Sequence, residues 1–324
     1  MSVRAARPRV EWRTVDGILL FDKAVGASSN QALQAVRRLY RAEKAGHTGS
    51  LDPLASGVLP LCFGQATKVA GLMLDLDKTY EATLLLGSRT ATGDAEGAVI
   101  ETCAVPALNV AGVTAVLAGF QGVQTQVPPM YSALKHDGEP LYVLARRGVE
   151  IARAARTITI HSLDLLQLTS NTLTLRVSCT KGTYIRTLAE DIAAALGTVG
   201  HLVALRRTVV GAFAGLTVYP LAMLEALRGD EAALDALLLP VDAALHDMAA
   251  VTLPVGADTT FRLGQAVALS SEAMGAQHSG ATVRVYGAIG DFIGTGRLTD
   301  RLEPMRLMSR APDRKDPPTG HDRH

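Results

Sequence analysis

The stretch His47-Thr48-Gly49-Ser50-Leu51-Asp52-Pro53-Leu54-Ala55-Ser56-Gly57-Val58-Leu59-Pro60 holds one carboxylate in a loop framed by glycines and apolar residues, with Gly46 directly before it. Pro53 disfavours the helical region for Asp52 and pushes it toward an extended backbone, and the glycines let the main chain approach another molecule closely. A carboxylate held this way can attack or accept a proton. Asp before Pro is also a common turn initiator and Asp readily caps helices, so the pair alone reads as structural. The segments on either side of the loop give the fold class and change those odds.

Upstream, residues 17–21 read as a buried strand, and Ser28 with Gln31 forms a capping box that opens a helix with Leu33, Val36 and Leu39 on one face. Downstream come a strand near 58–63 and a helix through Val69, Leu72 and Met73. Residues 80–86 place Tyr80, Ala82, Leu84 and Leu86 on one face of a strand, and the turn chemistry of 90–97 leads back through Val99 and Ile100 as in a hairpin. Residues 109–118 read as a helix. Residues 124–137, with Pro128-Pro129, read as an extended excursion, followed by a short helix over 139–147 that Gly148 ends. Segments 157–168 and 172–179 alternate like paired antiparallel strands around Ser170-Asn171, and 181–187 leads into a helix with Ile185, Leu188, Ile192 and Leu196 on one stripe. Strands and helices without strict alternation predict an α+β fold with a mixed, mostly antiparallel sheet. An alanine- and leucine-rich helix over 220–238 ends at Leu239-Pro240, and from about Val251 short strand-like pieces, 281–285 and 292–298, suggest a small β domain.

The 324 residues are 48% hydrophobic with a formal net charge of +1, enough to bury a large core and neutral on whether nucleic acid is a partner. Cys62, Cys103 and Cys179 form no C-x-x-C pair, which argues against a disulfide framework and a zinc site. No Gly-rich nucleotide-binding fingerprint appears, so no cofactor or metal is expected. No apolar run reaches membrane-span length and no signal-peptide pattern follows Arg4, Arg7 and Arg9, so no membrane and a cytoplasmic location are expected. Arg37, Arg38, Arg41 and Lys44 cluster before the glycine loop, and Arg146, Arg147, Arg153 and Arg156 cluster later; a solvated helix face explains them as well as a phosphate track.

Several separated motifs converge on one family. The first strand with Lys23, Gly26, Ser28 and Ser29, the block 46–60, Lys78-Thr79-Tyr80, Thr92-Gly93-Asp94 with Gly97, residues 130–135, 181–186 and Leu205-Arg206-Arg207 follow one another as in the bacterial TruB-type tRNA pseudouridine-55 synthases, which the chain resembles over roughly residues 14–310. One departure is Ala24, where that family usually has Pro; the expectation is some local loss of stability with activity retained. Leu54-Ala55-Ser56 is similar to the stand-alone bacterial branch rather than to the guide-RNA-dependent relatives.

The resemblance implies isomerisation of one uridine in the T loop of tRNA to its C-glycoside, with no cofactor and no guide RNA. It makes Asp52 the catalytic residue, as a nucleophile toward sugar or base or as a base at the sugar. Arg186 would hold that carboxylate in its anionic form, although a surface arginine in a helix's first turn is the plain alternative. Tyr80 would stack on the uracil and take the carbon-bound proton, Tyr184 and Leu205 would wall the pocket, and Asp94 would anchor the polar network or else form an Asx turn. A base inside a folded loop must be rotated out to react, and His47 would fill the space it leaves. Lys135, Arg146 and Arg147, on a gripping insertion of about 124–150, would add affinity for RNA. The organisation expected is a flexible segment 1–13, a catalytic domain 14–248, a PUA-like RNA-binding domain 249–308 and a disordered tail 309–324, acting as a monomer on the T stem-loop and acceptor end of tRNA without an obligate protein partner.

Overall fold

The computed structural model describes residues 11–269 and 280–309. The chain divides into two compact units, Met1–Pro240 and Val241–His324, so the division falls at the Leu239-Pro240 break rather than at the domain boundary expected at 248–249. Residues 1–10 and 310–324, most of the expected flexible start and disordered tail, lie outside the described residues. Residues 11–13 do not float free: Arg13 bonds Arg41 and Tyr40 carbonyls and makes a two-nitrogen contact with Asp235, and Arg37 lies 4.5 Å over the Trp12 ring.

The first unit runs β1 (Gly17–Lys23), α1 (Ser29–Tyr40), β2 (Ala45–His47), β3 (Ala55–Phe63), α2 (Ala70–Met73), β4 (Lys78–Leu86), β5 (Ser88–Thr90), β6 (Val99–Thr102), α3 (Val110–Ala118), β7 (Gly122–Gln126), β8 (Lys135–His136), β9 (Glu139–Pro140), α4 (Leu141–Arg146), β10 (Arg156–Leu168), β11 (Thr172–Cys179), α5 (Ile185–Ala195), β12 (Gly200–Val210), β13 (Tyr219–Pro220), α6 (Leu221–Ala226) and α7 (Glu231–Asp235). Its main sheet has the order β13-β1-β3-β12-β4-β11-β10-β7, with β2 added beside β3. All pairings are antiparallel except β1 with β13 and β3 with β12, which confirms a mixed, mostly antiparallel α+β architecture.

Local sequence explains the elements that frame the site. Ser28 caps α1 by accepting from the Gln31 amide while the Gln31 side chain accepts from the Ser28 amide, so two otherwise orphaned donors are satisfied. The apolar stripe of α1, Leu33, Val36 and Leu39, is buried in one core with Ile185, Leu188 and Ile192 of α5 and the sheet residues Leu59, Leu61, Ala82 and Leu84. Each such large aliphatic side chain stabilises the fold by about 2 kcal/mol on burial.

The structure corrects four expectations. The strand β12, seen in the sequence only as the motif at 205–207, is central to the sheet; its run of apolar residues interrupted by His201, Arg206 and Arg207 hides the period of two. Residues 124–126 belong to edge strand β7, paired with β10, so the excursion starts later. The helix expected through Val69 shrinks to a 3-10 segment, Gly64–Lys68, and the single turn of α2, where Gly71 weakens helical preference. The helix expected over 220–238 breaks into α6 and α7 because Gly229 takes a φ of 91° and Asp230 caps a new start through the Ala233 amide.

The second unit holds β14 (Ala250–Thr252), α8 (Ala257–Arg262), β15 (Thr282–Tyr286), β16 (Phe292–Leu298) and β17 (Leu302–Leu307), with strand order β14-β15-β16-β17. Its own core gathers Val251, Leu253, Phe261, Val283, Val285, Ile293 and Leu302. The sequence reading of a small β domain missed α8, whose six residues are too few to show a helical period.

Two glycines separate backbone strain from collision. At Gly57 φ is 101° and an added Cβ would lie 2.1 Å from the Arg207 carbonyl oxygen, while at Gly26 φ is 95° with nothing within 4 Å. Gly26→Ala should cost about 1 kcal/mol and Gly57→Ala roughly 3 kcal/mol or more, because only the second also pushes β3 away from β12. Urea unfolding of both variants checks this; equal losses would contradict it.

Candidate active site

The loop that carries Asp52 is tied down from one side by the first strand and the start of α1. Ser29 Oγ donates to the Leu51 carbonyl at 3.0 Å and accepts from the Leu51 amide at 2.7 Å, and the Gly26 amide donates to the Pro53 carbonyl at 2.8 Å. Lys23, fully buried at the end of β1, donates to the carbonyls of Ala24 and Ala27. Burial pushes the Lys23 ammonium below its ordinary range, and the negative charge of Asp52 partly offsets this. Leu51 is buried while Asp52 keeps 45% of its side chain open, so the apolar residue anchors the loop and the carboxylate faces out.

Arg186 occupies the first turn of α5 as the sequence placed it, but its side chain is only 6% exposed. Its Nε lies 3.0 Å from Asp52 Oδ2 and 3.6 Å from Asp94 Oδ2. Its terminal nitrogens donate to the carbonyls of Thr92 at 2.8 Å and Tyr131 at 2.6 Å. One planar fork therefore joins the β3 loop, the turn after β5 and the segment after β7, and a single rotamer satisfies all of them. Asp94 does both things left open by its sequence: Oδ1 accepts from Thr92 Oγ1 at 2.5 Å and from the Glu96 amide at 3.1 Å, closing an Asx turn, while Oδ2 faces Arg186. Near this cluster Glu96 has its carboxyl raised, first by burial and then by the charges of Asp94 and Asp52.

Tyr80 and Leu205 reach the same sheet face from neighbouring strands. Leu205 of β12 stands opposite Ala82 of β4 and Ala55 of β3, and Arg207 stands opposite Tyr80 and Gly57, so Tyr80, Ala82, Leu205 and Arg207 share one face. Tyr80 is half-buried. Burial raises its phenol, the charge of Arg207 opposes that rise, and the charge of Asp52 is also felt there. Tyr184 sits just before α5, where the buried Gln126 side chain clasps its backbone on both sides, at 2.7 Å to the amide and 3.1 Å to the carbonyl, and Arg156 lies 5.3 Å over its ring. Asp52, Arg186, Asp94, Tyr80 and Leu205 are thus gathered at one end of the central strands, with Tyr184 two residues from Arg186.

His47 lies in β2 at the entry of the loop and is half-buried. Its imidazole is shifted below the ordinary 6.5 by burial and then by Arg207, and its Nδ1 and the Thr48 hydroxyl are buried without a hydrogen-bond partner among the described residues. Lys135, Arg146 and Arg147 are exposed on the β8–β9 hairpin and α4, and the Tyr131 carbonyl, just before this segment, accepts from Arg186. Arg147 pairs with Glu139, and Arg146 lies 5.6 Å over the Tyr142 ring.

Sequence reasoning passed over Lys23, Gln126 and Arg207 as members of this site. Arg207 left a readable signal: two adjacent arginines in a strand must point to opposite faces, and Arg206 spends its side chain on Asp22 at 2.8 and 3.0 Å. Lys23 left a weaker one, a charged residue closing a strand otherwise buried throughout but for Asp22.

Residues 37–185 match the model of the TruB family pseudouridylate synthase N-terminal domain, 186–246 the tRNA pseudouridylate synthase B C-terminal domain, and 249–308 the C-terminal domain of pseudouridine synthase II TruB. A relative from Burkholderia mallei named tRNA pseudouridine synthase B is 51% identical over 310 residues, 95% of this chain and 99% of the relative. One of the same name from Chromohalobacter salexigens is 48% identical over 299 residues, 92% of this chain and 95% of the relative. In fold, the chain is similar to a chain of the crystal structure of a Cbf5-Nop10-Gar1 complex, with a TM-score of 0.69, 22% identity, and coverage of 94% and 92% of the two chains. With all three family models in order along the chain and relatives near half identity over almost its whole length, the protein belongs to the TruB family of pseudouridylate synthases and is an isomerase of that class.

Proposed function

We propose that this enzyme converts uridine 55 in the T loop of tRNA to pseudouridine, alone and without a guide RNA, with Asp52 as nucleophile and the target nucleotide rotated out of its stack. The observation that carries the reading is the 3.0 Å contact of the deeply buried Arg186 with a half-open Asp52, which holds an anion at the mouth of a face walled by Tyr80 and Leu205. The names of the relatives supply the tRNA substrate.

In this reading Asp52 attacks the sugar or the base as the bond from sugar to base nitrogen breaks, and its charge is kept available by Arg186. The base turns in place, held between the Tyr80 ring and the Leu205 side chain, its carbon joins the sugar, and the bond to Asp52 breaks again to return the free carboxylate. The carbon-bound proton then leaves to the Tyr80 oxygen, which gives up its own proton in turn, the electron pair returns to the ring, and the ring nitrogen left behind is protonated, so atoms and electrons balance without a redox partner. Asp94 keeps Arg186 from swinging away. Tyr184 closes the wall beside Arg186, its place fixed by Gln126.

His47, neutral at pH 7 because its imidazole is lowered, stacks into the gap that the flipped nucleotide leaves. The unpartnered His47 Nδ1 and Thr48 hydroxyl support RNA contact at this loop, since buried polar groups ordinarily find partners. Lys135, Arg146 and Arg147 grip the RNA backbone from the insertion, and the second unit, residues 249–308, contacts the acceptor end as a PUA-like module. The chain works as a monomer in the cytoplasm. No helix among the described residues is long and apolar enough to cross a membrane.

Asp52→Asn should lower single-turnover pseudouridine formation on an unmodified tRNA transcript by more than about a thousandfold with tRNA affinity kept within a few fold. Equal activity of the two proteins would remove Asp52 from the mechanism, binding by wild type without any product would point to a non-catalytic RNA binder, and a requirement for added RNA would point to a guided enzyme. Arg186→Met should lose activity and also about 3 kcal/mol of stability at pH 7, because Asp94, 5% exposed, is left buried beside no cation. Denaturant titration checks that figure, and a loss below about 1 kcal/mol would contradict the burial argument. His47→Ala should slow the reaction or weaken binding on folded tRNA by roughly tenfold while its melting curve stays near wild type; stopped-flow measurements that find no change would exclude the stacking role.

A further inference from the structure

Arg207 is 1% exposed and, among the described residues, its guanidinium is held by neutral acceptors: Nε donates to the Val58 carbonyl at 2.7 Å and one terminal nitrogen to the Gly49 carbonyl at 3.0 Å. These carbonyls lie on opposite sides of Asp52, so one side chain spans the active-site loop from before the carboxylate to the strand that follows it. Its backbone stands opposite Tyr80 on one neighbour and Gly57 on the other, on the face shared with Tyr80 and Leu205. Glycine geometry shows how closely this is fitted: a Cβ on Gly57 would strike the Arg207 backbone, and one on Gly49 would come 3.3 Å from Arg207 Nη1. A cation buried without a carboxylate is costly, and it persists in a fold only where its position does something that an apolar residue of similar volume would not.

We propose that Arg207 is a positioning residue for the isomerisation: one guanidinium fixes the Tyr80 hydroxyl and the Gly49–Val58 loop in a common register, so that Tyr80 meets the reacting carbon while Asp52 meets the other side of the nucleotide. The proposal rests on the role given to Tyr80 above. Tyr80 and Arg207 face each other across the β4–β12 pair, which is the link between the two halves, and the charge of Arg207 works against the upward push of burial on the phenol. The groups that face this spot are Asp52 from the loop, His47 from β2, Lys23 from β1, Lys78 from β4 and Cys179 from β11. Asp52 and Arg207 act on the Tyr80 oxygen with opposite charges as it takes up or sheds a proton. Arg186 and Arg207 divide the work, the first holding the nucleophile and the second holding the proton acceptor.

Arg207→Lys keeps the charge but offers a single nitrogen, which cannot serve Val58, Gly49 and Tyr80 together. With the full-length enzyme and an unmodified tRNA transcript, single-turnover rate and tRNA affinity are measured separately. The expected result is a rate about a hundredfold lower with affinity within about threefold and a melting curve close to wild type. A rate within twofold of wild type, or rate and affinity falling in equal proportion, would overturn the proposal. Should Arg207→Lys fail to fold, side-chain nitrogen NMR of arginine-labelled wild type and Tyr80→Phe decides: the Arg207 guanidinium signal shifts if it holds the Tyr80 hydroxyl, and an unchanged signal overturns the contact. If the wild type makes no pseudouridine, the functional reading fails by itself, and the NMR comparison still tests whether Arg207 holds Tyr80.

Discussion

A single buried guanidinium organises this molecule's reactive end. Arg186 meets Asp52 and Asp94 on its Nε side and bonds the Thr92 and Tyr131 carbonyls with its terminal nitrogens. Three segments far apart in sequence converge on one residue in the first turn of α5. A buried arginine is tolerated only when its donors are met, so the requirement to satisfy the fork fixes where each segment can lie. The position of Asp52 is thus a consequence of the same contacts that close the fold around α5.

The sheet supplies the second constraint. Strand β12 pairs in parallel with β3 and antiparallel with β4, which brings Leu205 and Arg207 between the loop that follows Asp52 and the strand that begins near Tyr80. Rigid central strands place side chains more narrowly than loops do, and Asp52 itself, on a loop, is steadied by Ser29, Lys23 and Arg207 from three directions. Exposure follows the same division: the residues that hold are buried, and Asp52 is half open. On the second unit the core of Val251, Phe261, Val283 and Leu302 is separate and complete in itself, as expected of a module with its own contacts to make.

Much of this was legible in the sequence wherever a short-range rule applies. The Ser28–Gln31 capping box, the alternation of Tyr80 through Leu86 and the paired strands around Ser170-Asn171 all appear as read, because caps and period-two faces depend on neighbours a few residues away. Strand β12 escaped because a strand flanked by partners on both sides need not alternate cleanly, and its buried His201 and Arg207 look like surface residues until their partners are known. The break at Gly229 inside an apolar, alanine-rich run was hidden by the run itself. In the site, Asp52 and Arg186 could be named from their motif, but that Arg186 would be buried and shared with Asp94 is a long-range fact, set by the packing of α5 against β12. The partners of Lys23 and Gln126 are likewise carbonyls and amides, which carry no sequence signature.

The account turns on Arg186 presenting an ionised Asp52 to a uridine that has left its stack and lies between Tyr80 and Leu205. A crystal structure of the enzyme with an unmodified T-arm RNA measures this directly. The account predicts the target base everted onto the Tyr80 ring, with Asp52 still bonded to Arg186 and within reach of the sugar and ring carbons. A base that stays stacked in the RNA loop, or an Asp52 turned from Arg186 toward solvent, would contradict it.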